Sequence, residues 1–137
     1  RARENRMRRQ ASLKLLAGDG AVLPFGDNTL HGITSFFALH HVDGPERLLM
    51  EADRVLAHDG ALLIMDFRRD MSRLLFRMLD ASWQCAFFFS AGRYGFRDSV
   101  RSAWRPEEIK DMLARNDLHR FQVHANAMEM WITGPAS

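Results

Sequence analysis

Hydrophobic and polar residues follow one another along this chain in blocks that predict short strands separated by helices. Apolar runs over residues 13–17, 32–37 and 61–65 have the length of buried strands and are bounded by Gly, Asp and Asn turns. Before the third run, Pro45 opens a segment with apolar residues at helical spacing, and residues 58–60 are its expected end. This order of strand, strand, helix and strand predicts an α/β fold on a mainly parallel sheet.

The rest of the chain is expected to be mostly helical and to end in two strands. Residues 70–89 are rich in Leu, Met and Phe, which predicts one or two helices, and glycines loosen the connection that follows. Pro106, with two glutamates behind it, begins another helix. Residues 118–124 and 128–133 alternate as an antiparallel pair. Residues 1–10 are good helix formers with no capping residue before them, so we expect the end of a helix that begins upstream.

Composition is that of one ordinary globular domain. The chain has 137 residues, of which 47% are hydrophobic, enough for a core. The single cysteine, Cys85, excludes an internal disulfide and fits a reducing compartment, and no apolar run approaches a membrane span, so the cytoplasm is the expected location. Arginine dominates the cations, but acidic residues are interspersed, so neither nucleic acid nor a membrane is an expected partner.

Five short motifs carry a resemblance to a known enzyme family. They are Gly18-Asp19-Gly20, Leu23-Pro24-Phe25, the run SFFALHHV over residues 35–42, Arg54-Val55-Leu56 and the run DGALLIMD over residues 59–66. In this order they resemble the second half of a class I S-adenosylmethionine-dependent methyltransferase domain of the type 11-like group. The resemblance is clearest over residues 15–66 and thins to a general similarity from Trp104 onward.

The resemblance implies a three-layer Rossmann-like sheet of seven strands, the last of them antiparallel. Residues 13–17 then match the third strand, 32–37 the fourth and 61–65 the fifth, and the last two strand candidates match the closing hairpin. The implied cofactor is S-adenosylmethionine, lying across the carboxyl ends of the parallel strands. The general rule for ligands of open α/β sheets predicts the same location.

The resemblance also implies five cofactor-binding residues. Asp19 matches an acidic position that accepts a hydrogen bond from the adenine amino group, and the N–H of Gly20 can reach the neighbouring ring nitrogen. Ser35 and Phe36 close the fourth strand, where the family lines the methionine part of the cofactor. His40 matches a histidine at the entry to the next helix. Read alone, Asp19-Gly20 is also a common turn pair, and Phe36 is also a typical core residue.

The role of the histidine pair is left open by the sequence. His40 or His41 would serve as a base if the substrate must lose a proton, since imidazole titrates near neutral pH. Capping and packing is the explanation that the sequence favours for the pair, because methyl transfer often needs only orientation and a dry pocket. The catalytic residue therefore stays unassigned. No third ligand has a telling spacing, so no metal site is expected.

Substrate contacts are expected from Asp66 and Trp83. Asp66 ends the fifth strand and either orients the substrate or caps the next turn. Trp83 lies in residues 70–95, where the family varies and faces the substrate, and it suggests a lid over an apolar molecule or a buried helix–sheet contact. Arg68, Arg69 and Arg73 form a basic cluster of the kind that is usually a solvated face.

The largest departure from the family is the absence of its first half. The sequence contains no glycine-rich cofactor loop, and the sheet is incomplete on its N-terminal side. Residues 13–17 then have no neighbouring strand, and the inner edge of residues 32–37 is unpaired, which is costly. We expect the protein to continue upstream; the alternatives are a second chain in the gap, including a homodimer, and an altered arrangement. His31 and Leu30 also depart from the usual aspartate and aromatic residue.

Two functions compete at this point. The first is methyl transfer to a small, apolar or aromatic molecule, with residues 1–137 forming a partial methyltransferase domain within a longer chain. The alternative is a non-catalytic partner or scaffold that kept the sheet and lost the cofactor.

Overall fold

The computed structural model of the protein describes residues 14–88 and 95–135. These residues form a four-stranded sheet, four α-helices and one 3-10 turn. The strands are β1 (Leu30–Phe36), β2 (Leu56–Phe67), β3 (Gln122–Ala125) and β4 (Glu129–Thr133). The helices are α1 (Glu46–Val55), α2 (Arg73–Ala86), α3 (Gly95–Ser102) and α4 (Pro106–Arg115), and the 3-10 turn is Leu39–His41.

The strands are arranged in the order β1-β2-β4-β3. β1 and β2 are parallel, with Ser35 opposite Ile64, whereas β4 is antiparallel to both of its neighbours. The carboxyl ends of β1 and β2 therefore meet at one edge of the sheet. The predicted α/β class, the parallel pair and the closing antiparallel hairpin are confirmed.

The core lies between one face of the sheet and helices α1 and α4. β2 turns alternate residues inward, and Leu62, Ile64 and Asp66 are all buried. The core also includes buried residues of both helices and of β4: Leu49, Ala52, Ile109, Met112, Leu113, Met130 and Ile132. Asp66 thus points to the same face as two apolar residues. A buried carboxylate needs partners, so its surroundings define the first place to look for chemistry.

The opposite face of the sheet is less covered in the described residues. Leu63 and Met65 of β2 and Trp131 of β4 are half-buried, and Phe36 of β1 is 53% exposed. β1 has β2 on one side only and forms an edge of the described sheet. This edge is the one that the sequence predicted to be unpaired.

The strand predicted over residues 13–17 is wrong for residues 14–17. These residues form no strand, and Leu15 and Leu16 are 87% and 65% exposed. A strand is stabilised by hydrogen bonds to a neighbour, and none of the described strands lies beside this segment. Only an isolated bridge between Asp19 and Val22 follows it. Residue 13 and the helix predicted over residues 1–10 lie outside the described residues.

Two further boundaries differ from the prediction. α1 ends at Val55, not at residues 58–60, and β2 begins at the next residue, with a register irregularity opposite the stretch between Leu30 and Gly32. α3 was not predicted, because Gly95 suggested a loop; Phe96 and Val100, four residues apart, bury one face of this short helix.

The helices described in residues 14–88 and 95–135 are all too short or too polar to cross a membrane.

Candidate functional site at the carboxyl ends of β1 and β2

The chain leaves β1 through a strained residue. Phe37 has a φ of 50°, in the left-handed region, which costs a non-glycine residue about 1–3 kcal/mol. Its N–H donates to the carbonyl of Met65 at 2.8 Å, and its ring centroid lies 4.7 Å from that of Phe67. These contacts with the end of β2 hold the turn. The turn leaves Ser35 half-buried and Phe36 exposed at the carboxyl end of β1, and it directs the chain into the 3-10 turn that carries His40.

His40 and Asp66 form a buried pair beneath this edge. Their side chains are 2% and 1% exposed, and His40 Nδ1 lies 2.7 Å from Asp66 Oδ1. The backbone N–H of His40 donates to Asp66 Oδ2 at 2.9 Å, and that of Phe67 donates to Oδ1 at 2.7 Å. Both carboxylate oxygens of Asp66 are therefore occupied by donors of the protein itself. These contacts support a positioning role for Asp66, and the predicted substrate contact stays a prediction.

The other ring nitrogen of His40 is buried without a hydrogen-bond partner among the described residues. A carboxylate only accepts hydrogen bonds, so Nδ1 carries the proton in the bond to Asp66. In the neutral imidazole, Nε2 then presents a lone pair. Buried polar atoms usually have a hydrogen-bond partner, and a bound ligand is one partner that could satisfy Nε2. Nε2 is closed to solvent, so a ligand can reach it only if a neighbouring side chain moves. The exposed His41 is a candidate for that movement, because its ring centroid lies 4.0 Å from that of His40.

An aromatic group connects this pair to the helices that follow β2. We define it as Phe67, Phe76, Trp83 and Phe96. The ring of Phe67 lies 6.2 Å from that of His40 and 5.3 Å from that of Phe96, between centroids. Phe96 in turn stacks at 6.0 Å on both Phe76 and Trp83. The predicted substrate residue Trp83 is thereby joined to the end of β2 through rings that sequence spacing did not reveal.

Asp19 and Gly20 lie in a tight turn against α1. Asp19 Oδ1 accepts the N–H of Ala21 at 2.9 Å, and the carbonyl of Asp19 accepts the N–H of Val22 at 3.0 Å. A Cβ atom at Gly20 would lie 3.1 Å from Leu48 Cδ1. Asp19 and Gly20 therefore form a turn, as is common for this residue pair. The carboxylate of Asp19 is exposed, and its Oδ2 has no partner among the described residues, so it can still accept a hydrogen bond from a ligand.

The loop that follows is held by Arg54, which belongs to one of the motifs of the resemblance, and by Glu51, which the sequence did not single out. Glu51 Oε1 accepts the N–H of Leu23 at 2.8 Å, and Arg54 donates to Glu51 and to the carbonyl of Phe25. The hydrogen bond from Arg54, followed by that from Leu23, lowers the pKa of Glu51 to about 2. The hydrogen bonds from Arg54 to Glu51 and to Asp27 raise the pKa of Arg54. A Glu and an Arg three residues apart on a helix are the only local signal of this anchor.

Six of the seven predicted site residues fall into two sets, and the seventh, Trp83, lies on α2. Ser35, Phe36, His40 and Asp66 meet at the carboxyl ends of adjacent parallel strands, whereas Asp19 and Gly20 lie on the loop against α1. Their roles toward a cofactor and a substrate stay predictions. Among the described residues, no three His, Cys, Asp or Glu side chains converge as metal ligands.

Comparison with known proteins places these observations in context. Residues 1–64 match a family model described as "Methyltransferase domain". The demethylmenaquinone methyltransferase of Renibacterium salmoninarum is 37% identical over 60 residues, which are 44% of this chain and 25% of that protein. The ubiquinone/menaquinone biosynthesis C-methyltransferase UbiE of Azotobacter vinelandii is 30% identical over 122 residues, which are 82% of this chain and 48% of that protein. The chain spans about half the length of the latter relative and a quarter of the former.

A solved structure supports the same architecture. A S-adenosylmethionine-dependent methyltransferase from Thermotoga maritima, described as a possible histamine N-methyltransferase, matches with a TM-score of 0.61 and 18% identity. The match covers 98% of this chain and 70% of that one. At this identity the likeness shows the fold, and the fold is that of a methyltransferase domain.

Proposed function

Because this chain belongs to the class I S-adenosylmethionine-dependent methyltransferase family, we propose that it transfers a methyl group to a small, apolar or aromatic molecule. The observation that carries the proposal is the buried, unpaired Nε2 of His40, which Asp66 holds at the carboxyl ends of β1 and β2. Ligands of open α/β sheets bind at this edge. In this proposal, residues 1–137 are one partial methyltransferase domain.

The residues present fit part of the cofactor. When bound, S-adenosylmethionine supplies a methyl group attached to a positively charged sulfur. The unpaired Oδ2 of Asp19 would accept from the adenine amino group, and the N–H of Gly20 would donate to the ring. Ser35 and Phe36 would line the methionine part. The chain has no glycine-rich loop for the amino-acid end, so the proposal concerns the adenine and methyl-transfer ends only.

His40 has the surroundings of a general base. The acceptor atom would give its proton to Nε2 as it takes the methyl group, so that the positive charge leaves the sulfur and appears on the imidazolium. Asp66, hydrogen-bonded to Nδ1, would stabilise that imidazolium and keep the ring oriented. A positioned base of this kind contributes about 10²–10⁴-fold to a rate. Asp66 itself would not touch the acceptor.

The aromatic group supports an apolar, ring-containing acceptor. Phe67 lies 6.2 Å from His40, and Trp83 is partly exposed at the other end of the group. Two relatives are named for demethylmenaquinone and for ubiquinone/menaquinone biosynthesis. We therefore favour a quinone-like acceptor in its reduced, hydroquinone form, whose ring is nucleophilic, with residues 70–95 as the lid over it. The cytoplasm is the location that we propose for the reaction.

Calorimetric titration with S-adenosylhomocysteine tests the cofactor assignment, in the longest natural form of the protein. Asp19→Ala should weaken binding by about tenfold, the value of a charge-assisted hydrogen bond. Asp111→Ala, which removes an exposed carboxylate from α4, is the matched control and should leave binding unchanged. Binding that Asp19→Ala does not alter would remove Asp19 from the site.

Transfer of a labelled methyl group to demethylmenaquinone that has been reduced chemically to its hydroquinone, the nucleophilic form, tests the reaction. Activity that His40→Gln lowers by about 10²-fold or more, with cofactor affinity retained, would support the proposed base. Full activity of His40→Gln would exclude it.

A further inference from the structure

A pocket lies beside the start of α2 and the end of α3, apart from the site at the ends of β1 and β2. Its volume is about 470 Å³, within the range of small-molecule sites. Its lining is composed of four arginines and three apolar residues: Arg69, Met71, Arg73, Phe76, Arg77, Val100 and Arg101. No acidic residue lines it among the described residues. This composition is not the one expected of a solvated face, in which both signs of charge are mixed.

The floor of the pocket is apolar and fixed in place. Met71 and Val100 are buried and form a small core cluster with Phe96. Phe76 packs against this cluster and stacks on Phe96 with ring centroids 6.0 Å apart. The floor therefore exists without a ligand and can accept a hydrocarbon chain or ring at little ordering cost.

The arginines at the rim are mostly without partners. Arg73 and Arg77 are four residues apart on α2 and so lie on the same side of that helix, and Arg101 is in the last turn of α3. None of these three makes a hydrogen bond or ion pair among the described residues. Arg69, the fourth, is paired with Glu108. By contrast, Arg68, which precedes it, donates to both oxygens of Asp70, and this bond raises the pKa of Arg68.

Unpaired cations gathered over an apolar floor repel one another, and an anion relieves that repulsion. Guanidinium groups match carboxylate and phosphate oxygens in a bidentate geometry. The amino end of α2, which begins at Arg73, adds the positive end of a helix dipole. From this arrangement we infer that the pocket binds an amphipathic anion, namely a carboxylate or phosphate monoester on an apolar chain or ring. The inference does not depend on methyl transfer.

Three matched probes test the inference by calorimetric titration: monomeric decyl phosphate, inorganic phosphate and decyltrimethylammonium. Decyl phosphate should bind at least about tenfold more tightly than inorganic phosphate, because only its chain can use the floor. The cationic probe, with the same chain, should bind far more weakly than decyl phosphate. Equal binding of the cationic and anionic probes would overturn the inference.

Paired substitutions locate the binding. R77Q/R101Q should lower the affinity for decyl phosphate by about tenfold or more. R47Q/R115Q changes the net charge equally at exposed positions outside the pocket and should alter the affinity by less than about twofold. Equal losses in both variants would show general charge attraction and would reject the site. Circular dichroism checks that both variants are folded, and hydrogen exchange of the wild type with decyl phosphate should show protection near Met71 and Val100.

Vesicle co-sedimentation distinguishes the two sources of such an anion. Binding to phosphatidylglycerol vesicles that R77Q/R101Q abolishes would assign the anion to a lipid head group. Binding to decyl phosphate without vesicle binding would assign it to a soluble acid. The absence of both overturns the inference, and because S-adenosylhomocysteine binding is measured separately, that result would leave the proposed function standing.

Discussion

His40 Nδ1 lies 2.7 Å from Asp66 Oδ1, and the backbone N–H of the same histidine donates to the other carboxylate oxygen at 2.9 Å. The two residues are 26 positions apart and come from the ends of two adjacent parallel strands. One buried carboxylate therefore fixes both the ring and the backbone of the histidine. The pair is a structural element of the fold as well as the candidate base.

Asp66→Asn should lower the free energy of unfolding by about 1–3 kcal/mol. The asparagine NH2 group would replace one carboxylate oxygen, and a hydrogen-bond donor would then face the donors of His40 or Phe67 in a buried place. Asp111→Asn, at an exposed position of α4, should change the free energy of unfolding by less than about 0.5 kcal/mol. Urea unfolding measures both. A double-mutant cycle of Asp66→Asn with His40→Gln should give a coupling energy of about 0.5–3 kcal/mol, since the residues share one network. Strictly additive effects would contradict the direct bond.

The backbone at Phe37 gives a second prediction. Phe37→Gly and Phe37→Ala both remove the ring that contacts Phe67, so the difference between them reports on the backbone alone. At a φ of 50°, glycine should be the more stable of the two by about 0.5–1 kcal/mol.

The control for this comparison is an exposed helix position. At Arg47 in α1, alanine should be more stable than glycine by about 1 kcal/mol, the reverse order. If alanine is the more stable residue at both positions in urea unfolding, the left-handed conformation of Phe37 is contradicted.

Much of the sheet could be predicted from sequence. The apolar runs over residues 32–37 and 61–65 predicted β1 and the second half of β2, and Pro106 begins α4 where a proline fits a helix start. The parallel pair followed from the order of strand, helix and strand, and the closing hairpin followed from the alternation over residues 118–124 and 128–133. These features depend on local patterns, which a single sequence displays.

The remaining features depend on contacts between distant residues. The bond between His40 and Asp66 has no local signal, and Asp66 was equally consistent with a substrate contact or a cap. α3 begins at a glycine, and the burial of Phe96 and Val100 by tertiary packing stabilises it. Residues 14–17 have the apolar pattern of a strand, but a strand also requires a neighbouring strand to accept and donate its backbone hydrogen bonds. Whether such a strand is present cannot be predicted from the local pattern.

The anchor between Glu51 and the loop over residues 23–27 predicts a pH dependence. The pKa of Glu51 is lowered from 4.5 to about 2 in the folded protein, chiefly by the hydrogen bond from Arg54. A lowered pKa means that the contribution to stability is complete above pH 4.5 and is lost as the pH falls toward 2. Glu51→Gln should therefore be less stable than the wild type at pH 7, and the difference should shrink between pH 4.5 and pH 2.

Urea midpoints of the wild type and of Glu51→Gln, measured across that pH range, check this expectation. Glu107→Gln is the control, because Glu107 is exposed on α4 and its one contact to a charged side chain within residues 14–88 and 95–135 is a long ion pair with Lys110. Its midpoint should follow the wild type at every pH. A difference in urea midpoint between the wild type and Glu51→Gln that stays constant on acidification would show that the folded loop does not stabilise the charged form of Glu51.

Gly60 lies in the stretch of β2 where the pairing with β1 is irregular, and Gly32 lies on β1 next to it. A Cβ atom at Gly60 would lie 2.8 Å from Leu56 Cδ1 and 3.0 Å from the carbonyl oxygens of Ala57 and Leu30. Two of these atoms belong to the backbone and cannot move aside freely, so Gly60→Ala should lower the free energy of unfolding by about 1–3 kcal/mol. At Gly32, on the adjacent strand β1, the nearest atom would be 3.9 Å away. Gly32→Ala should therefore change the free energy of unfolding by less than about 0.5 kcal/mol in the same urea titration. Equal effects at the two positions would contradict the close approach of the backbone at Leu30 and Ala57 to Gly60, which accompanies the irregular pairing of Leu30 with Leu56.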